Sequence, residues 1–252
     1  MRRAALALAA LALAGCGSRA PAPPPETVQQ RSPIRLVAAD GVHVYGDYLK
    51  PGNARALILL FHQAGSGQGE YATIVPRLAA RGFATLAIDQ RSGGAMFGGN
   101  FTVRELGGER SYLEAKRDLE AALEWARGER MPVILWGSSY SASLAFLVAA
   151  EHPRQVAALL AFSPAEYFEG APSVAAAAAK LKMPVFVASS PDAKEVAAAK
   201  ALVDAVPGKD KRQFVPTDGV HGSSILIAER NPKGAEAAWG AVLAFLDTAA
   251  GN

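Results

Sequence analysis

Residues 132 to 142, Pro132-Val133-Ile134-Leu135-Trp136-Gly137-Ser138-Ser139-Tyr140-Ser141-Ala142, leave the surrounding chain few options. The apolar run Val133 to Trp136 reads as a strand covered on both faces, and such strands belong to sheets flanked by helices. Ser141 to Ala150 reads as a helix. Gly137 and two serines turn the chain sharply between them. A strand that passes straight into a helix brings the two close together, so the residues two before and two after the apex must be small. Around Ser139 these are Gly137 and Ser141; around Ser138 they are Trp136 and Tyr140, both bulky. The turn therefore presents Ser139.

Other segments repeat this alternation. Ile34 to Ala38 and Val42 to Leu49 read as strands joined by Asp40-Gly41, a short hairpin signal. Ala56 to Phe61, Phe83 to Ile88, Val156 to Phe162 and Val185 to Ala188 read as buried strands, with Arg212 to Val215 as the last. Helices are expected over Glu70 to Arg81, Tyr112 to Arg127, Val174 to Lys182 and Ala193 to Val206, and over 223–248 with a break at Pro232. Gln90 to Arg110 reads as a long glycine-rich loop. The expected fold is α/β: a mostly parallel central sheet, helices on both faces, an antiparallel opening hairpin and no large cap domain.

The N-terminus has a different character. Arg2 and Arg3 precede an apolar run from Ala4 to Ala14, too short to span a membrane and suited to a signal-peptide core. Leu13-Ala14-Gly15-Cys16 resembles the lipobox of bacterial lipoproteins. That resemblance implies removal of residues 1–15, lipidation of Cys16 (a diacylglyceryl thioether and an acylated amine, palmitate among the acyl groups) and anchoring in the cell envelope. Gly17 rather than Asp after the cysteine points to the outer membrane, facing the periplasm. Residues 16–33, with five prolines, are expected to form an extended tether, and 34–250 the folded domain. Cys16 is the sole cysteine, so no intramolecular disulfide and no cysteine-based metal site can form. The formal charge is +3, and two of the positive groups lie in the segment expected to be removed. No basic stripe interleaves with aromatics, and no nucleic-acid partner is expected.

A serine hydroxyl is a poor nucleophile without a base, and the base needs an orienting carboxylate. Gly137-Ser138-Ser139-Tyr140-Ser141 resembles the G-x-S-x-G nucleophile elbow, with Ser141 for the last glycine. His62-Gln63-Ala64-Gly65-Ser66-Gly67 resembles the His-Gly-x-Gly oxyanion loop, with Gln63 for a glycine. Asp89-Gln90-Arg91-Ser92-Gly93-Gly94 resembles the Asp-x-Arg-x-x-Gly corner. On these motifs residues 34–250 resemble the α/β-hydrolase family, in its dienelactone-hydrolase-like or small-esterase branch. Dienelactone hydrolase itself uses a cysteine nucleophile where Ser139 stands, so its own activity does not carry over.

The resemblance implies the chain order serine, acid, histidine. It makes His221 the base, in a glycine-flanked loop after the last strand. It makes Asp192 the acid, just past the strand Val185 to Ala188. Glu166 is the runner-up, with Glu195 and Asp218 further behind. The oxyanion donors would be the backbone N–H groups of Tyr140 and Ala64, with Gln63 as an alternative. His62 is expected to pin its loop. A dinucleotide fingerprint is excluded by the glycine spacing, and a phosphate loop by the missing Gly-Lys-Ser/Thr. The expected function is hydrolysis of small carboxylic esters through an acyl-enzyme, with no cofactor and no metal. A thioesterase or peptidase of the same fold, or a non-catalytic lipoprotein binding an envelope partner, are the alternatives. Substrate choice falls to the 90–110 and 163–182 segments, where Met96, Phe97, Phe101, Tyr167 and Phe168 offer apolar surface.

Overall fold

A computed structural model of the protein describes residues 29–250. The expected signal segment, Cys16 and most of the expected tether lie outside the described residues. Strand β1 (Gln29–Val37) opens five residues before the expected domain boundary at Ile34 and pairs antiparallel with β2 (His43–Pro51). The end of the expected tether is thus sheet. Pro33 is tolerated because β1 is an edge strand, whose outer side needs no ladder donors.

Then follow β3 (Ala56–Phe61), β4 (Phe83–Ile88), β5 (Val133–Ser138), β6 (Ala158–Phe162), β7 (Val185–Ala188) and β8 (Lys211–Phe214). They form an eight-stranded sheet in the order β1-β2-β4-β3-β5-β6-β7-β8. β2 runs antiparallel to both its neighbours, and every other pair is parallel. The helices are α1 (Ile74–Ala79), α2 (Phe101–Leu106), α3 (Lys116–Ala126), α4 (Tyr140–Glu151), α5 (Val174–Ala178), α6 (Ala193–Ala205) and α7 (Ala235–Ala249). Every residue of β3 is buried, yet the strand still alternates. Leu57, Leu59 and Phe61 join the core under α3 to α6, and Ala56, Ile58 and Leu60 the core under α1 and α7. α4 is apolar nearly all round and is the central helix of the first layer. Each fully buried Leu, Ile or Phe in these layers contributes about 1.5–3 kcal/mol.

Two expectations need correcting. The 90–110 segment holds α2, whose ends carry local signals: Asn100 accepts from Val103 N–H, and Gly107 closes the helix at φ 69°. The C-terminal segment breaks around Pro232 as expected, but the part before the break is only a 3₁₀ turn, Gly222–Leu226, and Asn231 caps the break by bonding Ile225 O at 2.7 Å and Gly234 N–H at 3.2 Å. Between β6 and β7 only the five-residue α5 is helical, so no cap domain rises there. The parallel strands end together at Phe61, Ile88, Ser138, Phe162 and Ala188. The loops leaving that rim meet in one place, as ligand sites in such sheets do.

Candidate active site

The apex of the β5–α4 turn is Ser139, at φ 62° and ψ −128°. This backbone is strained for a residue with a side chain, and such strain persists only where the surroundings enforce it. Gly137 explains part of the enforcement. A Cβ there would lie 2.4 Å from Ala142 Cα and 2.5 Å from Ser141 O, so only glycine lets strand and helix approach. Ser141 fits as well. Its Oγ lies 2.6 Å from Phe61 O and 2.9 Å from Ser138 O, and accepts from Ser138 N–H at 2.9 Å. The hydroxyl in place of the family's glycine thus stitches α4 to β3 and β5. Ser138 faces inward, donating to Glu70 Oε1 at 2.7 Å. Ser139 keeps a small exposure of 7%, and the nearby Tyr167 hydroxyl donates to Ser163 O at 3.0 Å.

The loop after β3 is held rigidly. His62 is fully buried, and burial lowers its pKa to about 4 against the two backbone contacts that raise it. The ring is therefore neutral: Nε2 accepts from Gln90 N–H at 2.9 Å, and Nδ1–H donates to Gln63 O at 2.8 Å. His62 pins its loop, as expected from its place in the chain. Gln90 does the reciprocal work, taking His62 N–H at 2.7 Å and giving its amide N–H to Tyr140 Oη at 2.9 Å. Gln63 N–H is committed to Glu70 Oε2 at 2.8 Å, so the Gln63 backbone has no donor to offer an oxyanion. Ala64 N–H and Tyr140 N–H have no acceptor among the described residues. Tyr140 opens α4, so its N–H is one of the donors a helix start leaves free, at the positive end of the helix dipole.

His221 is half-buried and meets a carboxylate, but not that of Asp192. Its Nδ1 lies 2.9 Å from Glu195 Oε1. Asp192 is the N-cap of α6, accepting from Lys194 N–H at 2.9 Å and Glu195 N–H at 3.2 Å. Glu195, one turn into that helix, also accepts from Ser163 Oγ at 2.7 Å and Ser190 N–H at 3.1 Å. Burial pushes its carboxyl up, but the hydrogen bonds from His221, Ser163 and Ser190 and the charge on His221 outweigh burial and hold it at about 2. An ionised carboxylate only accepts, so Nδ1 carries a proton, and a neutral ring in this contact has its lone pair on Nε2. Glu166 is occupied elsewhere, bonding Val174 N–H at 2.8 Å and Ala175 N–H at 2.7 Å at the start of α5.

The His221 loop packs against the elbow. Gly222 sits at φ 68°, and a Cβ there would lie 2.5 Å from Ser138 Oγ. Gly222 N–H donates to Ser163 Oγ at 2.9 Å and Ser223 N–H to Ser138 Oγ at 2.8 Å. Ser163, with φ 53°, thus bridges Glu195 and the histidine loop. Around the mouth, Tyr112 stacks on Tyr140 with ring centroids 4.3 Å apart, and Met96 binds the loop after β3 through its N–H to Gly65 O at 2.9 Å. Phe97 packs towards the α1–α7 core under Arg230, and Phe101 lies against Tyr45 and Arg104, so neither serves the mouth directly. Among the described residues, Glu120, Glu151 and His152 form a group with metal-ligand spacing. The Lys116 ammonium bonds both of its carboxylates, at 2.7 and 2.6 Å, and supplies the countercharge.

This sheet order, with a strained serine between β5 and the central helix, defines an α/β-hydrolase. Residues 52–205 match the family model described as serine aminopeptidase, S33, and the chain belongs to that family. It is 28% identical over 143 residues to the monoglyceride lipase of Homo sapiens, a stretch that is 56% of this chain and 45% of the lipase. The chain thus spans less than half the length of that relative. Its backbone is similar to that of an esterase of Pyrococcus furiosus, with TM-score 0.68 and 16% identity over 87% of this chain and 92% of that one. A dienelactone hydrolase of Anabaena variabilis superposes with TM-score 0.64 and 18% identity over 80% and 94%.

Proposed function

We propose that this chain is a serine hydrolase that cleaves small carboxylic esters through an acyl-enzyme. One observation carries the proposal: a serine in strained backbone at the β5–α4 apex, beside a loop whose histidine is held by an ionised glutamate. Ser139 Oγ attacks the ester carbonyl while His221 Nε2 takes its proton. Glu195 holds the imidazole in the productive tautomer and stabilises the imidazolium. The N–H groups of Ala64 and Tyr140 receive the oxyanion. His221 then gives its proton to the departing alkoxide as the carbon–oxygen bond breaks. Water, deprotonated by His221, attacks the acyl carbonyl; the bond to Ser139 breaks, Ser139 regains its proton and the acid leaves.

A fluorophosphonate probe should label Ser139 in the purified protein and leave Ser139→Ala unlabelled. Lack of label on the wild type would end the serine-hydrolase assignment. A panel of p-nitrophenyl esters, a monoacylglycerol, a thioester and an aminoacyl anilide separates the substrate classes. The monoacylglycerol enters because of the similarity to monoglyceride lipase, and the anilide because the family is described as aminopeptidase. Turnover led by the anilide would favour the peptidase.

We also propose that Cys16 anchors the enzyme in the bacterial envelope, on its resemblance to a lipobox cysteine. Radiolabelled palmitate should enter the wild type expressed in a Gram-negative host and be absent from Cys16→Ser. Equal incorporation in the two would overturn the anchor.

A further inference from the structure

Glu70 has no part in the serine–histidine–glutamate relay, yet it is fully buried at the centre of the site. Its two carboxylate oxygens reach two catalytic segments, and a shared serine reaches the third. Oε2 accepts from Gln63 N–H at 2.8 Å, one residue before the oxyanion donor Ala64. Oε1 accepts from Ser138 Oγ at 2.7 Å, one residue before Ser139. Ser138 Oγ in turn accepts from Ser223 N–H at 2.8 Å, two residues after His221. We propose that Glu70 is a positioning residue that holds the oxyanion loop, the elbow and the histidine loop in register through these bonds. The proposal rests on the serine-hydrolase function above.

The surroundings supply donors and few charges. Gln63 and Ser66 face Glu70 from the oxyanion loop, Ser138 from β5 and Ser223 through Ser138. The titratable groups that couple to it are His221, its neighbour Tyr71, and Tyr140 on α4. Burial pushes its carboxyl up, and the hydrogen bonds and the charge on His221 pull it partly back, to about 7.

The test is Glu70→Leu in the full chain, with Glu70→Gln beside it, read by steady-state kinetics and by fluorophosphonate labelling. Leucine has no acceptor, so Gln63 N–H and Ser138 Oγ both lose their tie. Glutamine can keep both, its amide oxygen accepting from Gln63 N–H and its amide N–H donating to Ser138 Oγ. In Glu70→Leu the expected kcat per labelled site is about 10- to 100-fold lower with KM changed less than about 3-fold, since misplacement of catalytic groups acts on the reacting geometry. Glu70→Gln should rescue kcat to within about 3-fold of wild type. Loss of fold alone would lower the labelled fraction and leave kcat per labelled site as it is. Should Glu70→Leu fail to fold, Ser138→Ala, which removes the link to Ser223, should show the same drop in kcat at constant KM. Wild-type kcat per labelled site in whichever of Glu70→Leu and Ser138→Ala folds would overturn the proposal. Wild-type protein that takes no fluorophosphonate would remove the hydrolase function and this role together. Labelled wild type with an unaffected Glu70→Leu would remove the role of Glu70 alone.

Discussion

Glu195→Gln should lower ester turnover about ten-thousand-fold, short of the loss from Ser139→Ala, while Asp192→Asn stays within about two-fold of wild type. The two positions are three residues apart on one helix, and the difference is geometric. Glu195 Oε1 lies 2.9 Å from His221 Nδ1 and is held ionised, so it fixes the imidazole with its proton on Nδ1. A glutamine can present its amide N–H there instead, and the ring then turns its lone pair to Nδ1 and its proton towards Ser139. The base is lost though every heavy atom stays in place. Asp192 only accepts from two backbone N–H groups at the start of α6, and asparagine caps a helix as well as aspartate does. Measuring kcat/KM for p-nitrophenyl acetate on the three variants decides the matter. A large loss in Asp192→Asn with Glu195→Gln near wild type would reverse the assignment of the acid.

The sequence offers Asp192 as the partner of His221 and the structure puts Glu195 there, for a reason the sequence also holds. Asp192 lies in a D-x-x-E pattern at the start of a helix, and that is a capping signature. Weighing only distance past β7 favours Asp192, the first carboxylate after the strand. Weighing the cap assigns Asp192 to the backbone and frees Glu195. The Glu195 side chain does not complete the capping box by reaching back to Asp192 N–H, because Ser190 N–H, Ser163 and His221 claim it. Those partners come from three other segments, and no local pattern reveals them.

What was legible is what periodicity and local sterics encode. The buried strands and the small residues flanking Ser139 could be read from neighbouring positions, and the sheet they imply is the one observed. What was not legible is polar and long-range. Glu70 sits where an amphipathic reading expects an ordinary helix, and its partners Gln63 and Ser138, with Ser223 behind Ser138, come from segments far apart in the chain. Gln90, read as part of a structural corner, ties that corner to both the oxyanion loop and Tyr140.

Arg91→Met should be the most destabilising single change in that corner, lowering Tm by roughly 6–20 °C, which corresponds to about 3–5 kcal/mol in a domain of this size. Arg91 is only 2% exposed and lies between two carboxylates. Its Nε and Nη2 bond Asp118 Oδ1 at 2.9 and 2.7 Å, and Nη1 and Nη2 bond Asp40 at 2.5 and 3.0 Å. Asp118 is fully buried and takes a further 2.8 Å bond from Arg91 N–H, whereas Asp40 reaches solvent and is held at about 2 chiefly by its bond to Arg91. Methionine fills the volume and leaves Asp118 as a buried charge without its cation, and that loss dominates the effect. Asp40 can rehydrate, so Asp40→Asn should cost less than about 1 kcal/mol. The double variant Arg91→Met/Asp118→Leu removes the stranded charge and should recover more than half of the lost Tm. Its backbone bond at Arg91 N–H is still missing, so recovery stays incomplete. Thermal unfolding followed by circular dichroism measures all three. A Tm for Arg91→Met within about 2 °C of wild type, or no recovery in the double variant, would show that the charge pair is not what holds the corner. Because Gln90 precedes Arg91 and anchors His62 and Tyr140, residual activity of Arg91→Met below its melting range should also fall, through kcat more than through KM.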